Sequence, residues 1–219
     1  SFPTRRSSDL NGNICTNSGK SYAHGTLTVN KAFEVSCNDI FAKLGQLIGY
    51  ENLLKYTTNL GLYNKVLGLA GENREEAVGV MPKLTDGVSN FAIGQCVTVT
   101  PLQIAGAVNA IVNDGIYIKP SLIEAIVDDD NNVIENIQNE ENRIFTSTTS
   151  KLVKNSMSNV ITNGTGTAAK VDGIIQGGKT GTATGEGGAT THGWFAGYFE
   201  LDNKLYTLVI VAPNINGVD

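Results

Sequence analysis

The chain has too few metal- and disulfide-forming residues to be built around either. Its 219 residues include three cysteines, Cys15, Cys37 and Cys96, and two histidines, His24 and His192. No two cysteines form a Cys-x-x-Cys pair and the histidines lie far apart, so neither a disulfide scaffold nor a zinc site is expected. No apolar run approaches the roughly 18 residues that span a bilayer, and no secretory signal opens the chain. An anchor outside these residues stays open. Basic residues are also in deficit: 16 Lys and Arg against 21 Asp and Glu give a net charge of −5. Such a balance argues against a nucleic-acid surface, which needs clustered cations on phosphates. Repeats, low-complexity tracts and internal linkers are absent. What remains, 41% hydrophobic residues, 17% charged residues and 25 glycines, is the balance of a folded domain rich in turns. The length suits one such domain.

The opening Ser1-Phe-Pro-Thr-Arg-Arg-Ser-Ser-Asp-Leu10 stands apart. It has neither helical nor strand periodicity and carries two of the four arginines. Permissible codons spell TCT TTC CCT ACA CGA CGC TCT TCC GAT CT, the text of a sequencing-library adapter. Residues 1–10 are therefore expected to be non-native and set aside from fold reasoning, leaving 11–219 as a partial domain.

From Ser36 onward Ile40, Phe41, Leu44, Leu47 and Ile48 recur at helical spacing. Tyr50 to Leu60 reads as a second helix stopped by Gly61, and residues 61–97 read as mostly irregular. Thr100, Pro101 and Gln103 form a helix start of the capping-box kind, with Leu102, Ile104, Ala105, Val108, Ile111 and Val112 behind it. Asn113-Asp114-Gly115 ends that helix. Ile116 to Lys119 and Leu122 to Val127 read as strands, the second turning at Asp128 to Asn132 into a return arm, Val133 to Ile137. Ser147 or Thr148 is expected to cap a further helix with Leu152, Val153, Met157, Val160 and Ile161 on one face. Trp194 to Phe199 and Leu205 to Val211 alternate as strands around Asp202-Asn203.

Gly178-Lys179-Thr180-Gly181-Thr182-Ala183 is the stretch richest in chemistry. On a strand, Thr180 and Thr182 share a face, and Gly181 between them lets a ligand or backbone approach closely. Hydroxyl donors beside an ammonium suit a substrate carboxylate, and a backbone N–H on such an edge can meet a developing oxyanion. Gly173-Ile-Ile-Gln-Gly-Gly178-Lys179-Thr180 also fits the phosphate-loop pattern letter for letter. That alternative requires a helix starting at Thr180, yet the glycine-rich Thr182-Ala-Thr-Gly-Glu-Gly-Gly188 that follows starts none. Ser36-Cys37-Asn38, taken alone, reads as a helix N-cap. Cys37 reads as a small packing residue, and His24 and His192 as loop structure.

Taken in order, these motifs resemble penicillin-binding protein transpeptidase domains. The residues that carry the resemblance are Ser36-Cys37-Asn38 with Asp39-Ile-Phe-Ala-Lys-Leu-Gly45, Ala92-Ile-Gly-Gln95, Thr100-Pro-Leu-Gln-Ile-Ala105, Gly164-Thr-Gly-Thr-Ala168, Gly178 to Ala183, and Trp194-Phe195-Ala-Gly197. The resemblance implies an α/β fold of the α+β type, a mostly antiparallel central sheet flanked by helices. It implies a serine D,D-transpeptidase that cross-links peptidoglycan stem peptides ending in D-Ala-D-Ala, outside the bacterial cytoplasmic membrane, and is acylated by β-lactams. No metal or cofactor is implied. By position, Ser36 would pass protons to the leaving amine, and Asn38 would hold the substrate amide. Lys179 would supply positive field, and Thr180 and Thr182, flanking Gly181, would bind the terminal carboxylate. The Thr182 N–H would form half of the oxyanion hole. A β-lactam sensor domain of a membrane receptor would share these motifs.

The family's Ser-x-x-Lys is missing. None of the twelve lysines follows a serine by three residues, and Thr28-x-x-Lys31 and Thr148-x-x-Lys151 lie after the expected place. The nucleophile is expected upstream of Asn11, and Val211 to Asp219 stops where a closing helix would follow. Cys96 stands where a glycine usually follows Gly94-Gln95. The 219-residue chain is therefore expected to take no covalent label from a fluorescent penicillin on a denaturing gel. A labelled band would place a nucleophile within it.

Overall fold

The structure, a computed structural model, describes residues 2–3, 16–17, 20–21, 24–67, 70–71, 74–184 and 190–215. The adapter-like residues 1–10 thus fall almost wholly outside the described residues, as do Cys15 and most of the glycine run up to Gly188.

Four two-residue strands open the chain: β1 (Phe2–Pro3), β2 (Thr16–Asn17), β3 (Lys20–Ser21) and β4 (Thr26–Leu27). They pair β1 with β4 and β2 with β3, all antiparallel. Helix α1 (Val29–Glu34) follows, and Thr28 caps it by accepting from the Lys31 N–H at 3.2 Å. The Thr28-x-x-Lys31 imitation is thus a helix cap. Helices α2 (Asn38–Ile48) and α3 (Tyr50–Asn59) are separated by Gly49, whose φ of 83° needs no side chain.

The segment expected to be irregular holds the short strands β5 (Ala70–Gly71) and β6 (Arg74–Glu75), a 3-10 turn at Leu84–Asp86 and helix α4 (Val88–Ala92). Helix α5 (Pro101–Val112) starts as its sequence predicts. Thr100 Oγ1 accepts from the Gln103 N–H at 3.2 Å, and Gln103 Oε1 accepts from the Thr100 N–H at 2.8 Å. Gln103 also donates to the Asn64 carbonyl, which leaves this fully buried amide paired on both ends.

Strand β7 (Ile116–Ile118) is followed by the hairpin β8 (Ala125–Val127) and β9 (Val133–Asn136), then β10 (Glu141–Arg143), which pairs with β7. The β8 strand is shorter than the expected Leu122 to Val127, because Leu122 and Ile123 find no partner strand and are exposed. Helix α6 (Ser147–Asn163) is capped by Thr146, one residue before the expected Ser147 or Thr148, because Thr146 Oγ1 is the hydroxyl that reaches the Thr149 N–H, at 3.1 Å. A 3-10 turn at Thr167–Ala169 leads to β11 (Gln176–Thr184), β12 (Thr191–Leu201) and β13 (Lys204–Ile215), an antiparallel sheet in that order. Asp202 and Asn203, at φ 52° and 58°, make the two-residue turn joining β12 to β13, as the right-handed twist of a hairpin requires.

Helices α5 and α6 cover one face of this sheet. Val108, Val112 and Met157 pack on Tyr198, with Phe33 of α1 and Ala196 at the margin. A smaller core of Ala32, Cys37 and Ile40 joins α1 to α2; full burial of a side chain such as Ile40 contributes about 1.5–3 kcal/mol. Two expected core faces are only half used. Ile40 and Met157 are buried, but Leu47 is 75% and Leu152 57% exposed, since no described element packs over those turns.

The other face of the sheet is open. Register puts Thr180, Phe195 and Ile210 in one row, Gly178, Gly197 and Leu208 in the next, and Gln176, Phe199 and Tyr206 in a third. Tyr206, Leu208 and Ile210 are each 40–54% exposed. Mixed helix and antiparallel sheet are therefore observed as expected.

Packing leaves no room for a side chain where α2 meets α4: a Cβ on Gly45 would lie 2.2 Å from Ala92 Cβ. Neither group can swing aside. Gly45→Ala is expected to destabilise the protein by about 1–3 kcal/mol, the usual cost of overpacking, read as a lower urea midpoint.

Candidate active site

The turn between α1 and α2 determines where Ser36 points. The Cys37 N–H donates to the Ala32 carbonyl at 2.8 Å and the Ser36 N–H to the Phe33 carbonyl at 3.2 Å. This is a Schellman closure of α1, and Ser36 occupies its left-handed position at φ 55°. Glycine normally stands there, and a serine costs about 1 kcal/mol. The N-cap reading of Ser36 is thus corrected: Cys37 holds the N-cap position of α2, with no capping hydrogen bond from its side chain. Cys37 is fully buried in the α1–α2 core, a packing role. Asn38 begins α2 half-buried, and its side-chain amide makes no hydrogen bond among the described residues.

Lys179 lies on β11, opposite Ala196 and so on the helix-covered face. Its Nζ donates to Ser36 Oγ at 2.8 Å and to the Thr180 carbonyl at 2.7 Å, and sits 5.9 Å from the centre of the Phe33 ring. Residues 143 positions apart are thereby joined. Burial disfavours the ammonium and pushes the Lys179 pKa down from 10.5 to about 8. Thr180 and Thr182 lie on the opposite face of the strand, Thr180 in register with Phe195 and Thr182 with Gly193. Thr182 and Gly181 are exposed. Among the described residues β11 pairs only with β12, so its other edge is free. The geometry therefore offers an ammonium bonded to a serine hydroxyl, a row of threonine hydroxyls, and an unpaired strand edge beside them.

The loop after α6 also reaches this region, through a contact that sequence reasoning missed. Thr165 Oγ1 lies 2.6 Å from Thr180 Oγ1, and its N–H donates to the Glu34 carbonyl at 3.3 Å. The Gly164-Thr-Gly-Thr-Ala168 motif marked this loop in the sequence without showing what Thr165 touches.

Other candidates resolve locally. His192 Nδ1 accepts from the Asn214 N–H at 3.1 Å, a hairpin contact. Cys96 adopts φ 61°, a left-handed conformation that suits the glycine expected there. The phosphate-loop alternative is overturned, since Thr180 lies inside a nine-residue strand and no helix starts there.

The family model of the penicillin binding protein transpeptidase domain matches residues 7–217. The chain belongs to this family. Among curated relatives, the stage V sporulation protein D of Bacillus subtilis is 34% identical over 168 residues, covering 73% of this chain and 25% of that protein. Penicillin-binding protein PbpB of Mycobacterium tuberculosis is 29% identical, covering 88% of this chain and 31% of that protein. Among solved structures, ligand-free penicillin binding protein 3 of M. tuberculosis superposes with a TM-score of 0.83 at 27% identity, over 97% of this chain and 51% of that one. The chain thus spans about a quarter to a third of these curated relatives. The same M. tuberculosis protein has been solved with aztreonam and with ampicillin.

The lowered Lys179 pKa carries a stability signature. Between about 8 and 10.5 the unfolded chain holds a proton on this group that the native chain has released, so the group's contribution to stability rises with pH across that window. Urea midpoints of wild type and Lys179→Met, compared at pH 8 and pH 10, should show a rise in wild type that the variant lacks.

Proposed function

We propose that this chain is the part of a peptidoglycan D,D-transpeptidase that binds the acyl donor and relays its protons. The observation that supports this best is the Lys179–Ser36 hydrogen bond, which joins the serine-asparagine turn to the Lys-Thr-Gly strand. In this reading the nucleophilic serine and its lysine are supplied by residues outside these 219. That serine attacks the carbonyl of the penultimate D-Ala; the C–N bond breaks and D-Ala departs with a proton. An amine of a neighbouring stem peptide then takes the acyl group and frees the serine. Splitting the transfer this way is covalent catalysis by an activated nucleophile.

Each named residue has a part in that sequence. Ser36 Oγ, held by Lys179, passes a proton toward the leaving amine. The Asn38 amide, without a hydrogen bond among the described residues, can pair with the substrate's peptide group. Lys179 supplies positive field at the donor's carboxylate, while Thr180 and Thr182 offer hydroxyl protons to it and Gly181 lets the substrate backbone lie close. The Thr182 N–H, on the free edge of β11, supplies one of two donors to the oxyanion. A β-lactam would enter by the same contacts. Such chemistry belongs on the outer face of a bacterial membrane; no helix among the described residues is long and apolar enough to cross one.

In the full-length protein, Lys179→Ala is expected to slow acylation by penicillin at least about tenfold, because the ammonium that holds Ser36 Oγ and supplies the positive field is lost. Stopped labelling with a fluorescent penicillin measures the rate, and a wild-type rate in the variant would remove Lys179 from the mechanism.

A further inference from the structure

Thr165 has no part in the reading above, yet it touches both halves of the site. In the last turn of α6 the Val160 carbonyl accepts from the Gly164 N–H at 3.1 Å and the Gly166 N–H at 3.0 Å. Both glycines are in contact too close for a side chain. A Cβ on Gly164 would fall 2.4 Å from the Glu34 carbonyl oxygen, and one on Gly166 2.9 Å from Ile161 Cδ1. The loop therefore lies flat against the end of α1, two residues before Ser36. Thr165 carries the single side chain of this tripeptide, and its hydroxyl meets Thr180.

One proton lies between the two hydroxyl oxygens, and its direction matters. If Thr180 donates to Thr165, it can offer a carboxylate only lone pairs, and the contact is repulsive. If Thr165 donates, the Thr180 proton is free for the carboxylate, and the two bonds polarise each other in the same sense. The Thr165 N–H is engaged by Glu34 and its flanking glycines are fixed by α6, so the threonine has little freedom to leave this post.

We propose that Thr165 is a positioning residue that donates to Thr180 Oγ1 and so turns the Thr180 proton toward the carboxylate of the acyl donor. The inference rests on the proposed carboxylate role of Thr180. It also links substrate preference to the seating of α6 on α1, because one loop holds both.

The test uses the full-length protein with a penicillin and its methyl ester, which reacts at the same ring but lacks the carboxylate. Thr165→Val keeps the shape and removes the hydroxyl; Thr165→Ser keeps the hydroxyl. The wild-type preference for the acid over the ester is expected to fall about tenfold in Thr165→Val, the scale of one hydrogen bond to a charged group, and to return in Thr165→Ser. A merely structural loss would slow both compounds alike and leave their ratio unchanged. An unchanged ratio in Thr165→Val, or a serine variant no better than valine, would overturn the inference while leaving the transpeptidase reading intact. A wild-type protein that neither compound acylates would instead overturn that reading, and this inference with it.

Discussion

The contact between Lys179 Nζ and Ser36 Oγ organises the molecule. An ammonium on a half-covered strand face loses hydration, and the pKa near 8 records that cost. It is offset by two oxygen acceptors and the face of Phe33. Everything around it serves to bring those partners together. Antiparallel pairing of β11 with β12 sets the side of the sheet from which Lys179 emerges, and the Schellman closure of α1 brings the serine to meet it. The loop from Gly164 to Gly166 then ties the end of α1 to the strand.

Much of the fold was legible because it is written locally. The capping box of Thr100 and Gln103 and the Asp202-Asn203 turn need only neighbours within four residues, and both formed as expected. Elements defined by distant partners were not legible. Glu141–Arg143 is wholly polar and exposed and becomes a strand only through its pairing with β7. Val88–Ala92 is too short to show a period. The hydroxyl run from Thr146 to Thr149 offers several possible caps, and only three-dimensional reach selects Thr146. Leu47 and Leu152 fit a helical period yet remain exposed, since periodicity marks a face without saying whether anything covers it.

The site divides in the same way. Residue types and order were enough to bring Ser36, Asn38, Lys179, Thr180 and Thr182 to notice. Sequence could not give the serine's backbone conformation, because a serine before a helix looks like a cap and a serine after one does not look like a glycine. Nor could it give Thr165 its partner, fifteen residues away on a different element.

The left-handed serine has an evolutionary side. At φ 55° the residue that would relax the backbone most is glycine, the one that also removes the hydroxyl bonded to Lys179. Selection for thermostability alone would therefore drift toward a sturdier protein that has lost its serine–lysine contact, and any breeding scheme for this fold needs a check on that contact beside the heat step.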